Sequence, residues 1–237
     1  MRTKNMYMTL DTETCGSLGA PLVYDLGFVI HDNMGNIAET RSYVIKEIFY
    51  GQKGKMKTAY YADKLPEYRK GIKDGKWIVK SFWEIRKEIF SLMKTYKIKA
   101  IMAYNGSFDV RALNSTLNFL SKFEDGQTFF NENVTIWDIW HMACQTILRQ
   151  KTFFKNAIVN GWESDCGNVK TSAEVAFRYI NKENDFIESH TALSDALIET
   201  AIFTRCIKTH KKMNRNIVPM PWRIPQSDYK EYKTRTA

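Results

Sequence analysis

The chain has 237 residues, with 35 Lys and Arg against 26 Asp and Glu for a formal net charge of +9, and 44% hydrophobic and 14% aromatic content. That hydrophobic share excludes a disordered chain, and the length suits one domain with decoration. Cys15, Cys144, Cys166 and Cys206 are scattered without a C-x-x-C pair, which argues against a zinc ribbon or a disulfide scaffold. No apolar run reaches the length of a membrane span, and the start Met1-Arg-Thr-Lys-Asn5 is too polar for a secretory leader. The expectation is a reduced, cytoplasmic protein with no membrane partner. The basic surplus points to a polyanionic partner, nucleic acid first.

Residues 6–13, Met-Tyr-Met-Thr-Leu-Asp-Thr-Glu, read as a first strand that ends in two carboxylates. Side chains two apart share a face, so Asp11 and Glu13 stand together with Tyr7 and Thr9 behind them, while Met8 and Leu10 face the other way. Adjacent carboxylates repel unless something positive lies between them, and a divalent cation is a common solution. Taken alone, the pair fits two solvated acids at a strand end better than a metal site. Residues 14–21 supply a loop with Gly16 and Gly19, and 23–31 and 37–45 read as the second and third strands around the hairpin turn Asp32-Asn-Met-Gly-Asn36. The stretch 47–80 is rich in Lys, Tyr and Gly and shows only a short helix near 59–68. Ser81-Phe-Trp-Glu84 is a capping box, followed by Phe82, Ile85, Ile89, Leu92, Met93 and Tyr96 at helical spacing. Residues 98–103 form a buried apolar strand, and the order helix-then-strand implies a parallel crossover into the sheet.

Tyr104-Asn-Gly-Ser-Phe-Asp109 turns from that strand into a helix carrying Val110, Leu113, Leu117 and Leu120. Asp109 lies in its first turn, where the helix dipole favours a carboxylate for structural reasons as well as chemical ones. A short strand at 134–136 and a helix over 138–148 follow. Residues 149–170 read as a basic, aromatic hairpin insertion, whose Lys151, Phe153, Phe154, Lys155 and Trp162 either pair charge with stacking on a nucleic-acid strand or form a small aromatic core. Thr171-Ser-Ala-Glu174 caps a helix to about 179. The last strong helix begins near Thr191 and carries Leu193, Leu197, Ile198, Ala201 and Ile202, a pattern that turns Asp195 inward with Ala192, Ile198 and Ile202. Residues 209–237 hold many Lys and Arg, three prolines and almost no periodicity, and read as a basic tail ordered only where Ile217–Trp222 docks. The fold class is α/β: an antiparallel meander followed by parallel strands in a mixed sheet flanked by helices, over a domain of 1–208.

Leu10-Asp-Thr-Glu-Thr14, Asn105-Gly-Ser-Phe-Asp109 and His190-Thr-Ala-Leu-Ser-Asp195, in that order and in strand, strand-to-helix and helix contexts, resemble the three motifs of the DEDD exonuclease superfamily. The histidine spacing resembles the DEDDh branch of polymerase proofreading subunits and ribonuclease T-like enzymes, over about residues 6–208. The resemblance implies a ribonuclease H-like fold and 3′→5′ removal of nucleotides from single-stranded DNA or RNA ends. It implies two Mg²⁺, with Mn²⁺ able to substitute, held by Asp11, Glu13, Asp109 and Asp195, and His190 as a general base that is mobile until substrate arrives. Thr12, Gly16, Ser17, Leu18, Asn105 and Phe108 fall where it implies substrate contacts. Tyr104 stands where many members carry histidine, and Cys15 where threonine is frequent; neither is a metal ligand. A replicative polymerase is the protein partner that the proofreading branch implies. The Lys, Asn, Phe and Tyr content points to a phage or low-GC bacterial source, and so to a host cytoplasm. The alternative is a non-catalytic module that grips nucleic-acid ends or a polymerase on the same fold, and a third reading is an endonuclease on this scaffold. DNA versus RNA stays open, since no residue announces a 2′-hydroxyl contact.

Overall fold

The computed structural model describes residues 5–121 and 127–236. One mixed sheet runs in the order β4-β3-β2-β1-β5-β6, with β1 at Met6–Ser17, β2 at Ala20–Asp32, β3 at Ile37–Ile45, β4 at Ile78–Lys80, β5 at Ile98–Ala103 and β6 at Ile136–Asp138. The pairs β1–β2 and β2–β3 are antiparallel, and β1–β5, β5–β6 and β3–β4 are parallel. Between β3 and β4 lie α1 (Lys46–Phe49), α2 (Lys53–Lys57) and α3 (Leu65–Lys73). α4 (Phe82–Thr95) and α5 (Gly106–Leu120) flank β5 in sequence. After β6 come α6 (Ile139–Gln145), α7 (Lys151–Val159), α8 (Ala173–Asn181), α9 (Ala192–Lys208) and α10 (Gln226–Thr236).

Strand alternation divides the core into two layers. Met8, Leu10 and Ile101 join Ile85, Ile89, Leu113 and Leu117 of α4 and α5 on one face. Tyr7, Ala100 and Met102 join Met142 of α6 and Ile198, Ile202 and Phe203 of α9 on the other. A sheet covered on both sides needs apolar residues at nearly every position of its central strands, and β2 is buried from Pro21 to Asp32. The register shifts between Glu13 and Thr14, which brings Cys15 into the first layer. α4 starts where the capping box predicts: the Ser81 side chain accepts from the Glu84 N–H, and Ser81 N–H donates to Glu84 Oε2 at 3.0 Å.

α9 enters directly against β2. A side chain on Gly27 would put its Cβ 2.1 Å from Leu193 N, so only glycine allows this approach. Beside it, Asp25 Oδ2 accepts from Ala192 N–H at 3.0 Å and from the Tyr68 hydroxyl at 2.6 Å, which satisfies one of the free amides at the start of α9.

Two sequence expectations are corrected here. Residues 149–170 are not a hairpin: 151–159 are helical, and among the described residues a single bridge, Glu163 to Val169, is the strand-like pairing of the stretch. Phe153, Phe154 and Trp162 are buried in the second layer, with Phe154 packed edge-on to Tyr229 at 5.4 Å, so these rings serve the core. Nor is the stretch after 208 a loose tail. α10 docks through a fully buried Tyr229, whose hydroxyl donates to Glu163 at 2.6 Å, and through Gln226, which accepts from Val169 N–H at 2.9 Å. α10 buries only those two residues, too few for an apolar stripe to show in the sequence. Smaller differences are a short 3₁₀ turn at Ala62–Lys64 leading into α3 in place of one helix near 59–68, and a β6 that begins two residues late, at Ile136. Among the described residues no helix is long and apolar enough to cross a membrane.

Candidate active site

A cavity of about 260 Å³ opens where the ends of β1 and β5 meet the first turns of α5 and α9. Crevices outside the carboxyl ends of parallel strands are the usual ligand sites of open α/β sheets, because loops and helix starts converge there. Asp11, Glu13, Asp109, His190 and Asp195 all line it, together with Thr12, Asn105 and Phe108. Gly16, Ser17 and Leu18 do not: they lie at the β1–β2 turn, where Leu18 is 81% exposed.

Each acid is placed by a different element. Asp11 and Glu13 share a face of β1, as alternation requires. The Thr12 hydroxyl, pointing the other way, donates to Asp109 Oδ1 at 2.8 Å and ties β1 to α5. Asn105 heads α5 in the left-handed region, φ 65°, a conformation its short polar side chain tolerates. Asp195 lies in the first turn of α9 and is buried beside Ala192, Ile198 and Ile202, which excludes a surface acid. The ligand atoms of Glu13, His190 and Asp195 all lie within 4.8 Å of one another.

This crowding shapes the titration of the site. Burial, then the charges of Asp109, Glu199, Glu13 and Asp195, push the Asp11 carboxyl well above the ordinary range. Glu13 rises to about 9 through burial and through Asp195 and Asp25, with Lys64 opposing. Asp195 rises to about 8 through burial and Glu188, again with Lys64 opposing. Asp109 rises to about 7 through burial, held back by the Thr12 hydrogen bond. Burial and the Lys64 ammonium push the His190 imidazole down from its usual value, which favours the neutral, proton-accepting form.

Two carboxylate oxygens at the cavity, Asp195 Oδ1 and Glu199 Oε2, are buried without a hydrogen-bond partner among the described residues. A buried acceptor without a donor is costly, and a group of like charges more so. A divalent cation relieves both, and a wall of carboxylate oxygens matches the preferences of hard divalent ions. The residues present therefore fit such ions.

The sequence reading missed Glu199, Glu188 and Tyr61 in the lining. Glu199 is 2% exposed and follows Asp195 by one helical turn, so the i,i+4 relation was the available signal. Tyr61 had none, since it comes from the patternless stretch between β3 and β4.

Sheet order and acidic cleft together define a ribonuclease H-like α/β domain. Comparison with solved structures agrees. E. coli exonuclease I in complex with a 5cy-dT13 oligonucleotide is 15% identical, with a TM-score of 0.53 over 88% of this chain and 41% of that chain. The zinc-ion-bound form of the E. coli exonuclease I–ssDNA complex gives 15% identity and a TM-score of 0.54, over 88% and 41% of the two chains. An exonuclease I structure described as suggesting how processivity is achieved gives 15% and 0.51, over 93% and 43%. The chain thus spans about two-fifths of the length of the exonuclease I chains it matches, and at this identity the likeness establishes the fold. No protein-family model and no curated protein sequence matches it.

Proposed function

We propose that this chain is a divalent-metal-dependent 3′→5′ exonuclease of the DEDDh kind, hydrolysing phosphodiester bonds at single-stranded DNA or RNA ends. The observation that carries the reading is convergence: β1, α5 and the entry to α9, far apart in sequence, bring four acids and an imidazole to one open cavity. Asp11, Glu13, Asp109 and Asp195 would hold two Mg²⁺, or Mn²⁺ in their place. When bound, such cations activate water and offset charge on the departing oxygen.

The chain's own groups supply the remaining functions. His190 accepts the proton of the attacking water at Nε2, because its Nδ1 faces Glu188 Oε2 at 3.9 Å. Phe108 offers a ring for the terminal base, and the Arg111 guanidinium, 5.5 Å over that ring, adds positive charge beside it. Asn105 presents its side chain at the same rim, where its Oδ1 already accepts from the Ser107 hydroxyl at 3.0 Å. The net charge of +9 favours a phosphate-led encounter.

Purified protein incubated with 5′-labelled DNA and RNA oligonucleotides and Mg²⁺ or Mn²⁺ should shorten them stepwise from the 3′ end. Asp11→Asn should slow this by on the order of 10³-fold or more while leaving binding intact. Binding without shortening of any DNA or RNA substrate would refute the proposal and leave an end-binding module.

A further inference from the structure

We propose that Tyr61 and Lys64, from the excursion between β3 and β4, are positioning residues that hold the His190 imidazole beside Glu13 and Asp195 before substrate binds. What the held imidazole does rests on the exonuclease reading above; that it is held rests on contacts of its own.

The Tyr61 ring lies flat on the imidazole, with centroids 4.4 Å apart and planes 15° from parallel. Lys64 Nζ donates to the carbonyl oxygens of Ser189 and His190, the latter at 3.4 Å, and stands 5.3 Å over the Tyr61 ring. One short stretch of the excursion thus grips both the side chain and the backbone of His190. The grip answers a local need. His190 has φ 47°, a left-handed conformation unfavourable for a residue with a Cβ, in a stretch between α8 and α9 that has no regular structure. Such a conformation persists only where surrounding contacts impose it.

Stacking suits the task, since it sets the tilt of the imidazole while leaving both nitrogens free at the ring edge. One faces Glu188 and the other is left for a proton. Tyr61 belongs to neither apolar layer of the core, so its ring is not already committed to packing the fold. The imidazole expected from the family resemblance to be mobile is, on this reading, preorganised by the segment between β3 and β4. Lys64 also opposes the charges of Glu13 and Asp195, so Tyr61 is the position that separates positioning from electrostatics.

The test compares the wild-type 237-residue chain with Tyr61→Ala, Tyr61→Leu and Tyr61→Phe. Leucine keeps bulk without an aromatic face and guards against a folding defect. With single-stranded oligonucleotide and Mn²⁺, alanine and leucine should each lower kcat by about 10- to 100-fold with KM little changed, and phenylalanine should restore most of the loss. His190 is one of four histidines, so its ring protons are assignable by NMR; they should carry an upfield ring-current shift in wild type and Tyr61→Phe that vanishes in Tyr61→Ala and Tyr61→Leu. A Tyr61→Leu enzyme with wild-type kcat, an unchanged His190 spectrum in Tyr61→Ala, or a phenylalanine variant as impaired as alanine would overturn the proposal. If wild type cleaves no nucleic acid but the ring-current shift behaves as described, the stack stands and the exonuclease reading falls.

Discussion

Gly27→Ala is the substitution that most directly tests how the site is assembled, because its nearest clashes are with the seat of α9, while Gly27 itself lies across the β1–β2 pair from Asp11. The added Cβ would lie 2.1 Å from Leu193 N, 2.3 Å from Ala192 C and 2.4 Å from Leu193 Cα, against an ordinary contact of 3.4–4 Å. All three are backbone atoms, so no side chain can swing aside, and the first turn of α9 must lift by roughly 1 Å. Lifting it strains the hydrogen bond from Ala192 N–H to the buried Asp25 and the packing of Ile198, Ile202 and Phe203. Overpacking of this kind costs about 1–3 kcal/mol, and loosening a buried hydrogen bond adds about 1 kcal/mol, for a combined loss of about 2–4 kcal/mol. Since Asp195 lies in the lifted turn and His190 just before it, a displacement near 1 Å should also lower nuclease activity by about 10²-fold. Urea titration gives the stability change from the midpoint at unchanged slope, and rates on the same preparations give the second number. Gly19→Ala is the control, as nothing lies within 4 Å of its Cβ, and should stay within about 0.5 kcal/mol of wild type. A Gly27→Ala protein with the wild-type midpoint and rate would refute the reasoning.

Two further predictions address the acids and the C-terminal helix. Glu13, Asp195 and Asp109 titrate near about 9, 8 and 7 in the fold, against about 4 when unfolded, so the folded state binds more protons between those limits. Metal-free stability from these groups is therefore fullest below about pH 4 and is lost as pH rises through 7 to 9. Divalent cations need the deprotonated carboxylates, so the Tm difference between Mg²⁺- and EDTA-treated protein should widen from about pH 5 to about pH 9. A difference that stays flat or narrows would count against a carboxylate metal site. Tyr229→Ala removes a fully buried ring and its 2.6 Å hydrogen bond to Glu163, and should cost about 3 kcal/mol or more in urea unfolding. A change under about 0.5 kcal/mol would mean that α10 contributes nothing to the fold.

Much of the candidate site could be read before any coordinates, for a local reason. Alternation along β1 puts Asp11 and Glu13 on one face. The turn 104–109 delivers Asp109 to the first turn of a helix, and the spacing of Ala192, Ile198 and Ile202 turns Asp195 inward. These are statements about periods of two and 3.6 residues, which a chain carries in itself. The misreadings share the opposite character. Phe153, Phe154 and Trp162 sit among lysines in what read as a hairpin, open to either a binding surface or a small aromatic core; they are buried beside a helix because α10 and Tyr179 close over them. α10 itself was invisible, since two buried residues in eleven make no pattern.

The amino-acid sequence by itself determined five of the six described strands (β4, at Ile78–Lys80, lies in the patternless stretch), the capped helices and the order in which the acids are presented, because each follows from hydrogen-bonding geometry and side-chain periodicity within a few residues. Only the tertiary structure decided which distant groups meet. It set Tyr61 and Lys64 on His190, placed Glu199 behind Asp11 and Asp109, and laid α9 on the bare backbone of Gly27. Such meetings depend on how separate elements pack, and packing is a property of the assembled core that no local stretch of sequence contains.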